Sequence, residues 1–194
     1  MMKQRCSWCL SDPLYISYHD DEWGRPCHDD HKLFEFLLLE GAQAGLSWLI
    51  ILKKREGYRK AFCQFDAEKV ARFNANDIER LMKNPAIIRN HLKIKSAIKN
   101  AQAFLKLQEQ HNGFHNFLWQ FVDGCPIMRQ PKTLSAIPAS TPESDQLSKA
   151  LKKAGCSFFG SITCYAYMQA MGLVNDHISQ CFCVSEKCKT SISI

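Results

Sequence analysis

No apolar stretch in these 194 residues approaches the ~18 needed to span a bilayer; the longest candidate, Leu46–Leu52, is far too short. Nothing apolar stands behind the opening Met1-Met2-Lys3-Gln4-Arg5, which leads straight into Cys6 and Trp8, so no export signal is expected and a cytoplasmic location is. No sustained apolar–polar alternation suggests a sheet, and no segment repeats. Charge is not extreme: 25 Lys and Arg against 19 Asp and Glu leave a formal +6, which favours an anionic partner without requiring one.

Hydrophobic residues are plentiful, at 46%, enough to bury a core and to exclude a disordered chain. At this length one compact unit, or two closely fused helical lobes, is expected over residues 1–194, with a disordered tail at 186–194. The dominant period is helical and the fold class is all-α. Asp29-Asp30 caps a helix through Leu33, Phe34, Leu37 and Leu38 that ends near Gly41. The run Leu46–Leu52 ends in Lys53-Lys54-Arg55, cations suited to a helix C-terminus. Asp66 and Asn76 read as caps of two short helices, 87–107 as one long amphipathic helix and 114–122 as another. Residues 123–142 carry Gly124 and four prolines and read as a connection, and Thr141-Pro142 opens a further helix.

The ten cysteines are scattered through a chain with a normal core, which in a reducing compartment points to core residues or metal ligands rather than disulfides. Cys6 and His19 stand near one end, His177 and Cys181 near the other. The second pair is spaced i, i+4, so one helical face would aim both side chains at one ion. Two thiolates and two imidazoles close a tetrahedral shell, the pattern of a structural zinc that clips chain ends together. Cys9, Cys183, Cys188, His28 and His31 are rival ligands, and Cys6-x-x-Cys9 is an alternative pair that would free His19. Ordinary buried cysteines and surface histidines explain the same residues without a metal.

Two segments carry more information. One runs from Asp12 through Tyr18-His19-Asp20-Asp21-Glu22-Trp23-Gly24 and on to Leu39-Glu40-Gly41-Ala42-Gln43-Ala44-Gly45-Leu46-Ser47-Trp48. The other runs from Leu147-Ser148-Lys149 through Lys152-Lys153-Ala154-Gly155, Phe159-Gly160 and Tyr165-Ala166-Tyr167-Met168-Gln169 to Asp176-His177. Together they closely resemble the 3-methyladenine DNA glycosylase I family, a bacterial branch of the helix-hairpin-helix glycosylases. The resemblance extends from about Cys6 to Cys181. It implies an all-helical enzyme that hydrolyses the N-glycosidic bond of 3-methyladenine in double-stranded DNA, acts as a monomer, and joins its terminal segments through one zinc ion on Cys6, His19, His177 and Cys181. It also implies a base pocket of Tyr18, Glu40 and Trp48, with Trp8 as a further wall. Cys156 departs from the aromatic residue common in the family, and Leu92 from a small one.

The chemistry fits these residue types. A base inside a duplex must leave the stack to be reached, and N3-methylation makes it a cation and a good leaving group. Trp48 and Tyr18 would favour a cationic ring by ~0.5–2 kcal/mol over a neutral one. Glu40 would accept from the exocyclic amine and, as the catalytic carboxylate, complement the charge. The Gly155–Gly160 hairpin would present backbone N–H groups to a phosphate, with Lys149, Lys152 and Lys153 beside it. Each has a plain alternative: Tyr18 a core tyrosine, Glu40 a solvated helix end, Trp23 and Trp119 core, the lysines a solvated face. Two other functions compete: a non-enzymatic DNA-binding protein with structural zinc, and a zinc hydrolase for which Asp20 or Glu22 would serve as base.

Overall fold

The computed structural model describes residues 3–185, so the expected tail 186–194 and the rival ligand Cys188 lie outside the described residues. Among these, nine α-helices run in the order α1 Pro13–Asp21, α2 Asp30–Gln43, α3 Trp48–Ala61, α4 Ala67–Ala71, α5 Ala75–Met82, α6 His91–Gln110, α7 Phe114–Trp119, α8 Pro142–Ala154 and α9 Ser161–Ala170. The helical period is thus realised along the chain. One exception to the all-α expectation is a parallel pair of two-residue strands, β1 Ile127–Met128 and β2 Val174–Asn175. Two residues are too short for any alternation to register in sequence.

Several boundaries shift for local reasons. The helix expected at 87–107 begins at His91, because the Asn90 side chain accepts from the Leu92 and Lys93 N–H groups. Asn74, not Asn76, caps α5, in a reciprocal box with Asp77. Asp66 caps α4 and Thr141 caps α8 as expected. Segment 114–122 splits into α7 and a 3-10 turn over Gln120–Val122. Lys53, Lys54 and Arg55 sit within α3, which continues to Ala61 and carries Arg59 and Lys60 in its last turn.

Helix α2 organises the molecule. Every residue from Leu33 to Ala42 is buried, so this helix is covered on all sides rather than amphipathic. Contacts with α3, α6, α7 and α9 supply that cover. Full burial of each Leu or Phe contributes ~1.5–3 kcal/mol, which holds the helix in place against the cost of its polar members. Those members are Glu35 and Glu40, both 3% exposed.

Candidate active site

Glu35 and Glu40 share one buried helix and have opposite surroundings. Glu35 Oε1 accepts from Arg55 Nε at 2.7 Å and Arg59 at 2.9 Å, and Arg55 also grips Glu22. Burial pushes the Glu35 carboxyl up, but the Arg55 guanidinium, Lys32 and Arg59 outweigh it and hold it below the ordinary carboxylate range. The basic run at 53–60 is therefore largely committed to ion pairs: Lys53 with Asp12, Arg55 with Glu22 and Glu35, Arg59 with Glu35 and Glu56. Glu40 has no hydrogen bond to another side chain among the described residues, and burial alone pushes its carboxyl up to about 8.

The Glu40 carboxyl faces a cavity of about 170 Å³ lined by Trp8, Tyr15, Tyr18, Trp23, Gln43 and Trp48, with Ala166 and Gln169 on the α9 side. Its size is close to the ~150 Å³ of a cavity that admits one benzene ring. Tyr18 and Trp48 meet at 5.6 Å between ring centroids, and Trp8 lies 5.1 Å from Trp23 and 6.4 Å from Tyr18. Beneath them Phe36 stacks parallel to Tyr18 at 6.2 Å, with Arg55 5.0 Å from its ring. The Trp48 indole N–H is buried without a partner, a second polar group left open in an otherwise aromatic wall.

Eight residues separate Glu40 from Trp48, a spacing that one continuous helix or a bend could both bridge. The bend is what occurs: α2 stops at Gln43, the chain turns with Gly45 at φ +78°, and Trp48 opens α3. Lys93 from α6 donates to the carbonyls of Ala42 and Ala44 at 2.8 and 2.7 Å, satisfying the end of α2 and fixing that turn. Lys93 gave no signal in sequence, since an isolated lysine reads as solvated. Trp23 is core as expected, 8% exposed and packed in the hydrophobic core, and it also lines the cavity. Trp119 is core, its indole donating to the Cys27 carbonyl. Glu40, expected near a helix end, lies inside the last turn of α2 and is buried.

Cys6, His19, His177 and Cys181 converge with their ligand atoms within 4.8 Å of one another, all buried. Cys181 Sγ is 3.5 Å from both His19 Nε2 and His177 Nδ1, and Cys6 Sγ is 3.7 Å from His177 Nδ1. Bonds of ~2.0–2.3 Å to one tetrahedral ion put sulfur and nitrogen ligands ~3.6 Å apart, so this donor set fits a single metal ion. The outward-facing nitrogens are taken: His19 Nδ1 contacts Asp20 at 2.8 Å and His177 Nε2 contacts the Trp23 carbonyl at 3.0 Å. These contacts orient both imidazoles with a lone pair inward. Burial lowers His177 to about 4, keeping the ring neutral.

The one-face helical argument for the second pair does not hold, because His177 and Cys181 lie beyond β2 in non-helical chain, closed by a turn from Cys181 N–H to the Ile178 carbonyl. Of the rivals, Cys9 donates to the Cys6 carbonyl, His31 contacts the Gln64 carbonyl, and His28 stacks on Trp119 at 4.4 Å. Cys183 forms a second, less buried group with His19 and Asp20.

Helices α8 and α9 pack together across the turn 155–160. Gly155 closes α8 at φ +107° with open space around it, so a side chain there is disfavoured by the backbone rather than by a clash. Gly160 precedes α9, whose first N–H groups receive no side-chain cap. Lys149, Lys152, Lys153, Gly155 and Gly160 are all exposed on this side, while Cys156, where the resembled family commonly has an aromatic, is buried. Leu92 is 65% exposed. No helix among the described residues is long and apolar enough to cross a membrane.

Comparison with known proteins matches residues 8–184 to the family described as methyladenine glycosylase. The chain is 53% identical over 180 residues to DNA-3-methyladenine glycosylase 1 of Escherichia coli, covering 93% of this chain and 96% of that protein. It is 48% identical over 190 residues to DNA-3-methyladenine glycosylase of Haemophilus influenzae, covering 98% and 100%. Among solved structures, a tyrosine-to-phenylalanine variant of 3-methyladenine DNA glycosylase I in complex with 3-methyladenine superposes with a TM-score of 0.91 at 39% identity, covering 94% of this chain and 98% of that one.

Proposed function

This chain belongs to the methyladenine glycosylase family, and from that premise we propose that it excises 3-methyladenine from double-stranded DNA by hydrolysing the base–sugar bond, releasing the free base and leaving an abasic site. The observation that carries the proposal is Glu40: a buried carboxyl without a hydrogen-bonded side-chain partner, facing an aromatic cavity of ring size.

The nucleotide leaves the stack and its base enters between Trp48, Tyr18 and Trp8. A neutral purine meets a Glu40 held protonated by burial. An N3-methylated purine brings a positive charge that favours ionised Glu40, so charge complementarity arises with the damaged base and not with the normal one. Aromatic faces add attraction for the cation. Departure of the already weakened base leaves an oxocarbenium-like sugar, and the Glu40 carboxylate contributes to stabilising that positive charge while water adds. The turn 155–160, acting as a helix-hairpin-helix element, holds backbone phosphate on the uncapped N–H groups of α9, with Lys149, Lys152 and Lys153 adding cations without reading sequence.

Cys6, His19, His177 and Cys181 hold one zinc ion that neutralises two buried thiolates and ties residues 6–19 to 177–181; with four protein ligands it leaves no position for substrate. Purified protein incubated with methylated duplex DNA tests the whole reading. Free 3-methyladenine in the supernatant is the expected result, and DNA binding without base release would refute the enzymatic assignment.

A further inference from the structure

Gln169 reaches the cavity from α9 and has no part in the chemistry above. Its amide nitrogen donates to Asp176 Oδ2 at 2.8 Å, and the Tyr165 hydroxyl donates to the same oxygen. Tyr165 and Gln169 are four residues apart on α9, so both side chains lie on one face. Asp176 follows β2, whose pairing with β1 and the Arg129 N–H to Asn175 carbonyl bond fix its backbone. Asp176 is 1% exposed, and its other oxygen is buried without a partner. A half-satisfied buried carboxyl costs stability, which suits a device for holding neighbours in one orientation better than a packing element.

The consequence concerns the other end of the amide. An acceptor oxygen at Asp176 dictates which way the Gln169 amide faces, because only its NH2 can donate. That leaves the amide oxygen as an acceptor on a residue that lines the cavity. We infer that Gln169, oriented by Asp176, is a specificity residue that accepts a hydrogen bond from the exocyclic amine of the bound base and disfavours purines with a carbonyl at that position. Gln169 thereby offers an acceptor to an amino group and a repelling oxygen to a 6-oxo purine, whichever protonation state Glu40 takes. This rests on the function proposed above for the same cavity.

The test measures binding, independently of catalysis, by quenching of tryptophan fluorescence with the free bases 3-methyladenine and 3-methylhypoxanthine. These differ in carrying an amine or a carbonyl at position 6. Wild type should prefer the amine. Gln169→Met, which keeps length and removes the acceptor, should shrink that preference roughly five- to tenfold, the worth of one neutral hydrogen bond. Gln169→Ala is a second variant whose folding α9 favours, and it should show the same loss. Parallel weakening of both bases in either variant, or an unchanged preference, overturns the inference, as does a wild type with no preference. A wild type that prefers the amine yet releases no base from methylated DNA would refute the glycosylase reading and leave this assignment standing.

Discussion

Two turns of α2 teach more about this protein than any motif does. Around Glu35 every charge is answered: Arg55, Arg59 and Lys32 surround it, and Arg55 is in turn shared with Glu22. Around Glu40 nothing answers, although the helix, the burial and the residue type are the same. Paired buried charges serve the fold, whereas an unpaired carboxyl facing a cavity is a candidate for contact with a ligand. The Cys/His cluster belongs with Glu35 in this respect, since its histidines have their outer nitrogens occupied and its inner donors face one another.

Four measurements would break or sharpen that contrast. The largest effect is expected at the cluster. Cys181→Ala should abolish stoichiometric zinc and lower the melting temperature by roughly 10 °C or more, because removal of one ligand leaves buried donors unneutralised. Full metal content in this variant would mean that the four residues are core and not ligands. Next, Glu35→Gln should destabilise the protein by about 3 kcal/mol in denaturant unfolding, since it leaves Arg55 and Arg59 under-compensated. A neutral result would remove the distinction between paired and open carboxyls.

Glu40→Gln should act in the opposite sense on stability and strongly on activity. Loss of a charge-assisted contact worth ~1.5–3 kcal/mol predicts a ten- to hundredfold slower single-turnover excision, with non-specific DNA binding nearly unchanged. An unchanged rate in a folded variant would transfer the decisive role to Tyr18 and Trp48. The smallest effect is in pH dependence. The folded-state pKa of Glu40, about 8, exceeds its ordinary value of 4.5, so the native state holds this proton more tightly than the unfolded chain does. Its contribution to stability is therefore lost as pH rises from about 4.5 to about 8, and Glu40→Gln should gain on wild type by a margin that widens across that window. Excision should rise between pH 6 and 8, because binding a cation requires Glu40 to give up its proton. Equal melting temperatures at pH 5 and 8 for both proteins, relative to one another, would contradict a strongly raised pKa.

How far the site was legible in sequence depended on the range of the interaction involved. Caps such as Asp29, Asp66 and Thr141 were readable because a side chain and its N–H partner lie two or three residues apart. The four Cys and His residues that could hold a metal were identifiable by chemistry and by resemblance, but the geometry that unites His177 with Cys181 is a non-helical turn, which a spacing argument cannot distinguish from a helix. Trp23 is core, as its residue type implies, and a hydrophobicity pattern carries no sign that it also lines a cavity. Lys93, Gln169 and the pairing of residues 53–60 were invisible, since their partners lie up to 51 residues away and a charged or amide side chain carries no sign of what it will meet.

The amino-acid order by itself determined most of the helices, caps such as Asp29, Asp66 and Thr141, the central apolar helix and the family to which the chain belongs, because each of these rests on periodicity, on neighbours within one turn, or on long runs of particular residues. Tertiary structure alone decided which buried glutamate is neutralised and which is left open. Glu35 and Glu40 are chemically identical and five residues apart, and the pKa of each is set by whether α3 brings a guanidinium within hydrogen-bond distance or the chain leaves a cavity instead.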